Sequence, residues 1–343
     1  MIGSAGIVKS WSREVEAHGF AGTKTVPLAY HSRMSRAWCA VGLALLVASG
    51  ACKAAIGDAP GGRQGDPDAH GDDADRGGGG GSDASVPPDA PLGLFSTPQP
   101  IPTAATIAQE DDPVLSSDGL ELVFARDSGG ATGKDLFRAT RATATDAFGA
   151  PAALTAFNTA GPEESPRLSA DDLTLFWASN QDVMSASRTS TAAAFGPAAP
   201  VTFVNTNLYE KWFDACPNGY YLVTRANPPN GQDFFEGTVG TAPTGPVPEL
   251  NSAANEISTS LSPDCLTLYF ASNRAVGAAN PVHIYMSTRA SLGAKWSDPT
   301  VVDTFGTPTV DDEDLYLTAN GHFAIFASTR GSSGTKDLFL STR

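Results

Sequence analysis

From residue 94 to the end of the chain, short runs of apolar and aromatic residues alternate with turns rich in Asp, Asn, Gly and Pro. Segments such as ELVFARD (121–127), LTLYFAS (266–272), FAIFAST (323–329) and DLFLSTR (337–343) are aromatic and β-branched or alternating, with no 3.6-residue stripe. They predict strands and exclude solenoids of helix pairs. The runs also recur as a phrase. LSADDLTLFWAS (168–179) parallels LSPDCLTLYFAS (261–272), and ATGKDLFRATR (131–141) parallels GTKDLFLSTR (334–343). Asp118, Asp171, Asn218, Asp264 and Asn320 mark the same turn in five copies spaced about 50 residues apart. A repeat of that length, built of short strands, predicts propeller blades.

Each copy offers four strands, clearest in the fourth: 256–261, 266–272 and 283–289, with an outer strand of the PAAPVTFV type (197–204). The last copy has three and ends on DLFLSTR. The missing outer strand lies at the other end, in LFSTPQPIP (94–102). The expected fold is therefore all-β, a five-bladed β-propeller over 93–343 closed by an N-terminal strand that pairs with the last three. Closure removes the open sheet edge that would otherwise invite aggregation. Turns such as Ser117-Asp118-Gly119, Asn218-Gly219 and Asn320-Gly321 are ordinary hairpin chemistry. The loops 127–134 and 226–232 project as a variable rim.

The pattern E-x-x-x-x-L-S-P-D-x-x-T-L-Y-F-A-S-N-R followed by D-L-Y-x-S-T-R resembles the WD40-like β-propeller repeat of the TolB type, best at 256–289 and worst at 210–239. That resemblance implies a binding or scaffold role in the cell envelope. Such repeats also form the non-catalytic propeller of some serine peptidases, but no peptidase domain and no peptidoglycan-binding domain accompanies these.

The first quarter reads differently. AWCAVGLALLVAS (37–49), after Arg36 and before Gly50-Ala51-Cys52, is too short for a bilayer-crossing helix and reads as a secretory signal. Residues 34–52 form that signal if Met34 is the true start, leaving 1–33 as a mis-called extension. Ser49-Gly50-Ala51-Cys52 resembles a bacterial lipobox, with Cys52 as the lipidated residue and Ser49 a departure from the usual aliphatic. Lys53 resembles the residue that follows the cysteine in lipoproteins sent to the outer membrane. Residues 53–92, rich in Gly, Asp and Pro, form a disordered tether. The tether carries much of the chain's net charge of −15.

Among candidate chemistry, acids recur at the start of each innermost strand: Glu110, Glu163, Glu210, Glu256 and Asp312. They are expected to ring one mouth of the channel. Functionally they would form a cation site, with Ca²⁺ as the candidate ion, or an acidic collar for a basic partner group. Structurally, each would accept backbone N–H groups or pair with an arginine of a neighbouring blade, and their periodicity favours that account. Blade three departs from the repeat with Lys211, Trp212, Phe213 and Asp214, where blade four has Ile257, Ser258, Thr259 and Ser260. Asp214 beside the acid ring would suit glycosidase chemistry. A polar plug with an aromatic wedge is the plainer account. Cys216 and Cys265 fall in adjacent turns. Two unpaired thiols are the default and an inter-blade disulfide the alternative, since bridging needs Cα atoms within about 7 Å.

Five histidines, three of them outside the propeller, cannot supply a zinc cluster or a Ser-His-Asp triad, and no nucleophile elbow, P-loop or H-E-x-x-H occurs. The acidic chain excludes nucleic acid. The expected protein is a monomeric, exported, outer-membrane-anchored or periplasmic lipoprotein that touches membrane only through its anchor. It would bind a partner protein or envelope polymer without catalysis or cofactor. The alternative is a glycosidase acting through channel carboxylates.

Overall fold

The computed structural model describes residues 95–343, except 128, 130–132, 230, 275–280, 307–308 and 332–333. The signal, Cys52, the tether and the extension all lie outside the described residues. Five antiparallel four-stranded sheets follow one another around a ring. Blade 1 comprises β2 (Gln109–Leu115), β3 (Glu121–Asp127), β4 (Lys134–Thr140) and β5 (Ala152–Ala153). Blade 2 comprises β6 (Glu163–Leu168), β7 (Thr174–Ser179), β8 (Asp182–Ser187) and β9 (Ala199–Pro200). Blade 3 comprises β10 (Glu210–Ala215), β11 (Tyr220–Ala226), β12 (Gln232–Thr238) and β13 (Gly245–Pro246). Blade 4 comprises β14 (Glu256–Leu261), β15 (Thr267–Ser272), β16 (His283–Thr288) and β17 (Thr300–Val301).

Blade 5 comprises β18 (Asp312–Leu317), β19 (Phe323–Ser328) and β20 (Asp337–Thr342), completed by β1 (Gln99–Pro100) from the other end of the chain. Gln99 pairs with Leu340 and Pro100 with Phe339. The zip extends beyond the short strand: Ser96 N–H donates to Thr342 O at 2.8 Å and Ile101 N–H to Leu338 O at 2.9 Å. The ring is thus a five-bladed β-propeller closed by its N-terminal strand. The outer strands are only two residues long because Pro or Gly interrupts most of them and neither extends a ladder well.

The core lies between blades. Phe124, Leu136, Leu175, Leu222, Phe270, Ile325 and Phe326 are fully buried from the second and third strands. An arginine just after the third strand, preceded by Thr or Ser, closes each blade that has it. Arg141, Arg188, Arg289 and Arg343 donate through Nε to a carbonyl of their own blade's first turn, Gly119, Asp172, Cys265 and Gly321 respectively. Each guanidinium also stacks on an aromatic ring, such as Phe195 at 4.4 Å from Arg188 and Trp296 at 4.3 Å from Arg289. Blade 3 has the half-exposed Val239 at this position.

There the turn is held otherwise. Cys216 and Cys265 form a disulfide with Cα atoms 6.1 Å apart, so the default of two free thiols gives way to the bridged alternative. The reason is local. Cys265 occupies the turn position where the backbone is left-handed, with φ of 62°, and Asp172 holds the same position in blade 2 with φ of 58°. That conformation aims the side chain at the preceding blade's turn. Asp172 accepts the Ser117 N–H and hydroxyl at 2.9 and 2.6 Å, as Cys265 reaches Cys216.

Candidate binding site at the channel mouth

The innermost strands β2, β6, β10, β14 and β18 all begin at one mouth of the channel, each with an acid at its first residue or, in β2, its second. Glu110, Glu163, Glu210, Glu256 and Asp312 are fully buried. Four of them cap the loop that delivers their own strand, accepting a hydroxyl and an N–H from Thr106, Thr159, Thr206 or Ser252. The second strand or the turn just after it supplies the cation: Arg126 on Glu110 at 2.9 Å, Arg225 on Glu210 at 2.7 Å, Arg274 on Glu256 at 3.1 Å and Arg330 on Asp312 at 2.5 Å. Glu163 instead takes the Ser179 hydroxyl at 2.8 Å. Each arginine comes from the acid's own blade rather than a neighbour, because strands one and two pair there; Glu210 faces Arg225 in register. Burial raises the Glu110 carboxyl, against the Thr106 and Arg126 contacts.

One and two residues further along, the strands do something different. Every innermost strand carries a bulge beginning at the second position past the acid, where its register against the second strand slips. The bulged residues Asp112, Ser165, Trp212, Ser258 and Asp314 all take a left-handed backbone, with φ between 42° and 57°. A bulge re-aims a side chain out of the strand's alternation. Here it turns five residues of unlike chemistry toward the channel. Trp212 of blade 3 spans to blade 1, its Nε1 donating to Asp112 Oδ1 at 2.7 Å. Below it, Arg167 of blade 2 donates to the Thr259 carbonyl of blade 4 at 2.9 Å. Both contacts join blades that are not neighbours, so the channel is plugged.

Around the plug lies a charged network. Lys134 donates to Asp111 at 2.6 Å and stands 3.6 Å from Asp112 and from Glu164. Lys336 contacts Glu313 and lies 3.3 Å from Asp111. Lys211 pairs with Glu164 at 2.7 Å, which also accepts the Tyr209 hydroxyl. Burial opposes ionisation of Asp111, yet the Lys134 ammonium, a hydrogen bond with Asp314 and Lys336 hold its carboxyl well below the usual range. Glu313, buried beside Asp111, is pushed up to about 7. Burial and the charges of Asp112, Asp111 and Glu313 push Asp314 well above its ordinary value. Sequence reasoning singled out the acids at the strand starts and, in blade 3, Lys211 and Trp212 after them, but passed over the acids that follow in the other blades, although the doublets and triplets at 110–112, 163–164 and 312–314 stand in one register.

Asp214 is four residues past Glu210, roughly 13 Å along the strand, at the opposite mouth rather than beside the acid ring. It accepts the Leu261 N–H at 2.8 Å, and burial raises its carboxyl to about 6 against the pull of that bond and of Arg167. Tyr316 and Asp214 line a shallow depression there. Next to the plug, between blades 3 and 4, a pocket of about 250 Å³ is lined by Trp212, Gln232, Asn255, Ile257, Asn273 and Val282. Among the described residues it carries an indole, three amides and no charged side chain.

No protein-family model matches the chain, and no curated protein matches it. Solved structures do. An α-L-arabinofuranosidase from Podospora anserina, in complex with cellotriose, aligns at TM-score 0.50 and 12% identity over 73% of this chain and 96% of that one. A TolB candidate from Agrobacterium tumefaciens aligns at 0.41 and 15%, over 71% and 89%. A glycosidase candidate from Bacteroides thetaiotaomicron aligns at 0.45 and 12%, over 76% and 95%. At such identity the likeness is one of fold alone.

Proposed function

We propose that this chain is a non-catalytic propeller of the TolB-like kind, exported and held at the envelope by Cys52, that binds an envelope polymer at the strand-start mouth. The observation that carries this is the state of the mouth carboxylates. Asp111, Glu164 and Glu313 are tied to Lys134, Lys211 and Lys336. The ring acids are spent on loop caps and arginines. A general base needs a lone pair free to take a proton from substrate, and these oxygens are engaged. The adjoining pocket supplies what a neutral, hydroxyl-rich segment needs: an indole to stack on, and the side-chain amides of Gln232, Asn255 and Asn273 as both donors and acceptors. Gln232 Oε1 is buried there without a hydrogen-bond partner.

Calorimetry of the full chain against peptidoglycan fragments and neutral oligosaccharides tests this. Binding is expected, weakened about five- to tenfold by Gln232→Ala as one hydrogen bond is lost. Retention of none of these, or an affinity indifferent to Gln232→Ala, would refute it. Glu313, whose carboxyl burial pushes up to about 7 beside an Asp111 held well below the usual range, favours the second reading, a glycosidase. Release of reducing ends by the wild type, lost in Glu313→Gln, would establish that reading instead.

A further inference from the structure

The pocket between blades 3 and 4 holds its amides in fixed orientations. Asn255 Oδ1 accepts the Gln232 N–H at 3.2 Å, and Asn273 Oδ1 accepts the Asn255 N–H at 3.3 Å. Both side-chain carbonyls are therefore spent on backbone, and what each asparagine has left is its NH2 group. Among the described residues no acceptor meets those two NH2 groups or that of Gln232. Gln232 Oε1 is the reverse case, a buried acceptor with no donor. Gly231 lets the amides come this close: its φ is 95°, and a Cβ there would stand 2.5 Å from Asn255 Oδ1. Ile257 and Val282 add apolar wall. Trp212 is fixed by its bond to Asp112 and by Lys211 Nζ, 5.1 Å over its ring.

Resting on the polymer-binding reading above, we propose that this pocket selects an N-acetylated amino sugar and takes its acetamido group. The ligand carbonyl accepts from the free NH2 groups of Asn255 and Asn273. The ligand N–H supplies the donor that Gln232 Oε1 lacks, and the methyl lies on Ile257 and Val282. An acetamido group carries these three features in one rigid plane, with the carbonyl and the N–H on opposite edges. A bare hydroxyl would answer the amides but leave the two aliphatic side chains against a polar atom. Ionised groups fit worse, because no described lining side chain carries a charge to meet them. The volume of about 250 Å³ lies just under the roughly 300–1,000 Å³ of pockets that enclose a whole small molecule. A peptide backbone has the same amide but continues on both sides of it, and a pocket of this size suits a group that ends at its methyl.

Calorimetry of the full chain compares two tetramers with one backbone, β-1,4-linked N-acetylglucosamine and β-1,4-linked glucose, which differ only in acetamido against hydroxyl. The acetylated tetramer is expected to bind on the order of ten- to a hundredfold more tightly, as two hydrogen bonds and an apolar contact are added. Saturation-transfer NMR should find the strongest protein contact at the acetyl methyl protons. Asn273→Asp keeps an acceptor for the Asn255 N–H and sets a carboxylate where the ligand carbonyl lies, so it should weaken the acetylated tetramer by about tenfold or more. The gentler Val282→Ala should weaken it several-fold and leave the glucose tetramer as before. An acetylated tetramer bound no more tightly than the glucose tetramer overturns the proposal, and so does acetylated binding indifferent to both substitutions. Either result leaves the polymer-binding reading standing if peptidoglycan fragments or the glucose tetramer are still retained. Retention of none of them overturns both.

Discussion

Asp214 illustrates how far a single residue's neighbours outweigh its place in a repeat. Its carboxyl is buried with one backbone donor and a guanidinium nearby, and burial dominates, lifting it from 3.8 to about 6. The folded state therefore holds a proton that the unfolded chain releases between those two values. Stability from this group falls as pH rises through that window, and the full penalty is present above about 6.5. Asp214→Asn keeps an acceptor for Leu261 and removes the charge. It should melt higher than wild type at pH 8, by several degrees for roughly 3 kcal/mol, with the gain vanishing near pH 4. Equal shifts at both pH values would contradict this account. The departure of this residue from the repeat was plain in the sequence. Its distance from the acid ring was not, because one-dimensional register does not say at which mouth a strand position emerges.

At the scale of the element, the turns and bulges carry information that residue types conceal. The arginine closing a blade through a turn carbonyl is repeated in four blades, and where Val239 breaks the pattern a disulfide binds the same turn to the next blade. Reduction should therefore lower the melting temperature of the wild type, for a loss of roughly 2–4 kcal/mol. Reductant should have no effect on the Cys216→Ser/Cys265→Ser double variant, and scanning calorimetry with and without it reads both. The acid ring was legible because it is periodic, and the structure makes it a set of strand caps. The five left-handed bulges were not, since Asp, Ser and Trp share no preference that predicts them. Only a common backbone geometry unites Asp112, Ser165, Trp212, Ser258 and Asp314.

For the whole molecule, stability depends on a ring whose ends meet. Residues 95–102 supply an outer strand, the buried Ile101 and a ring contact of Phe95 with Phe305 at 5.1 Å. Deleting them would strip backbone partners from β20 and expose its edge. The expected loss is roughly 4–6 kcal/mol from burial and hydrogen bonds together, with concentration-dependent aggregation seen by size-exclusion chromatography. A truncated chain that stays monomeric and melts as before would show that the ring closes without this segment.

The sequence by itself determined the blade count, the strands and the closing segment. These follow from local periodicity and from matching an orphan outer strand to a blade lacking one. Tertiary structure alone decided which residues meet across the channel. Trp212 with Asp112, Arg167 with Thr259 and the lysine–carboxylate network join strands remote in the chain, aimed by backbone twists that no residue pattern announces. Periodicity reports what each blade shares, whereas the mouth is built from what the blades do not share.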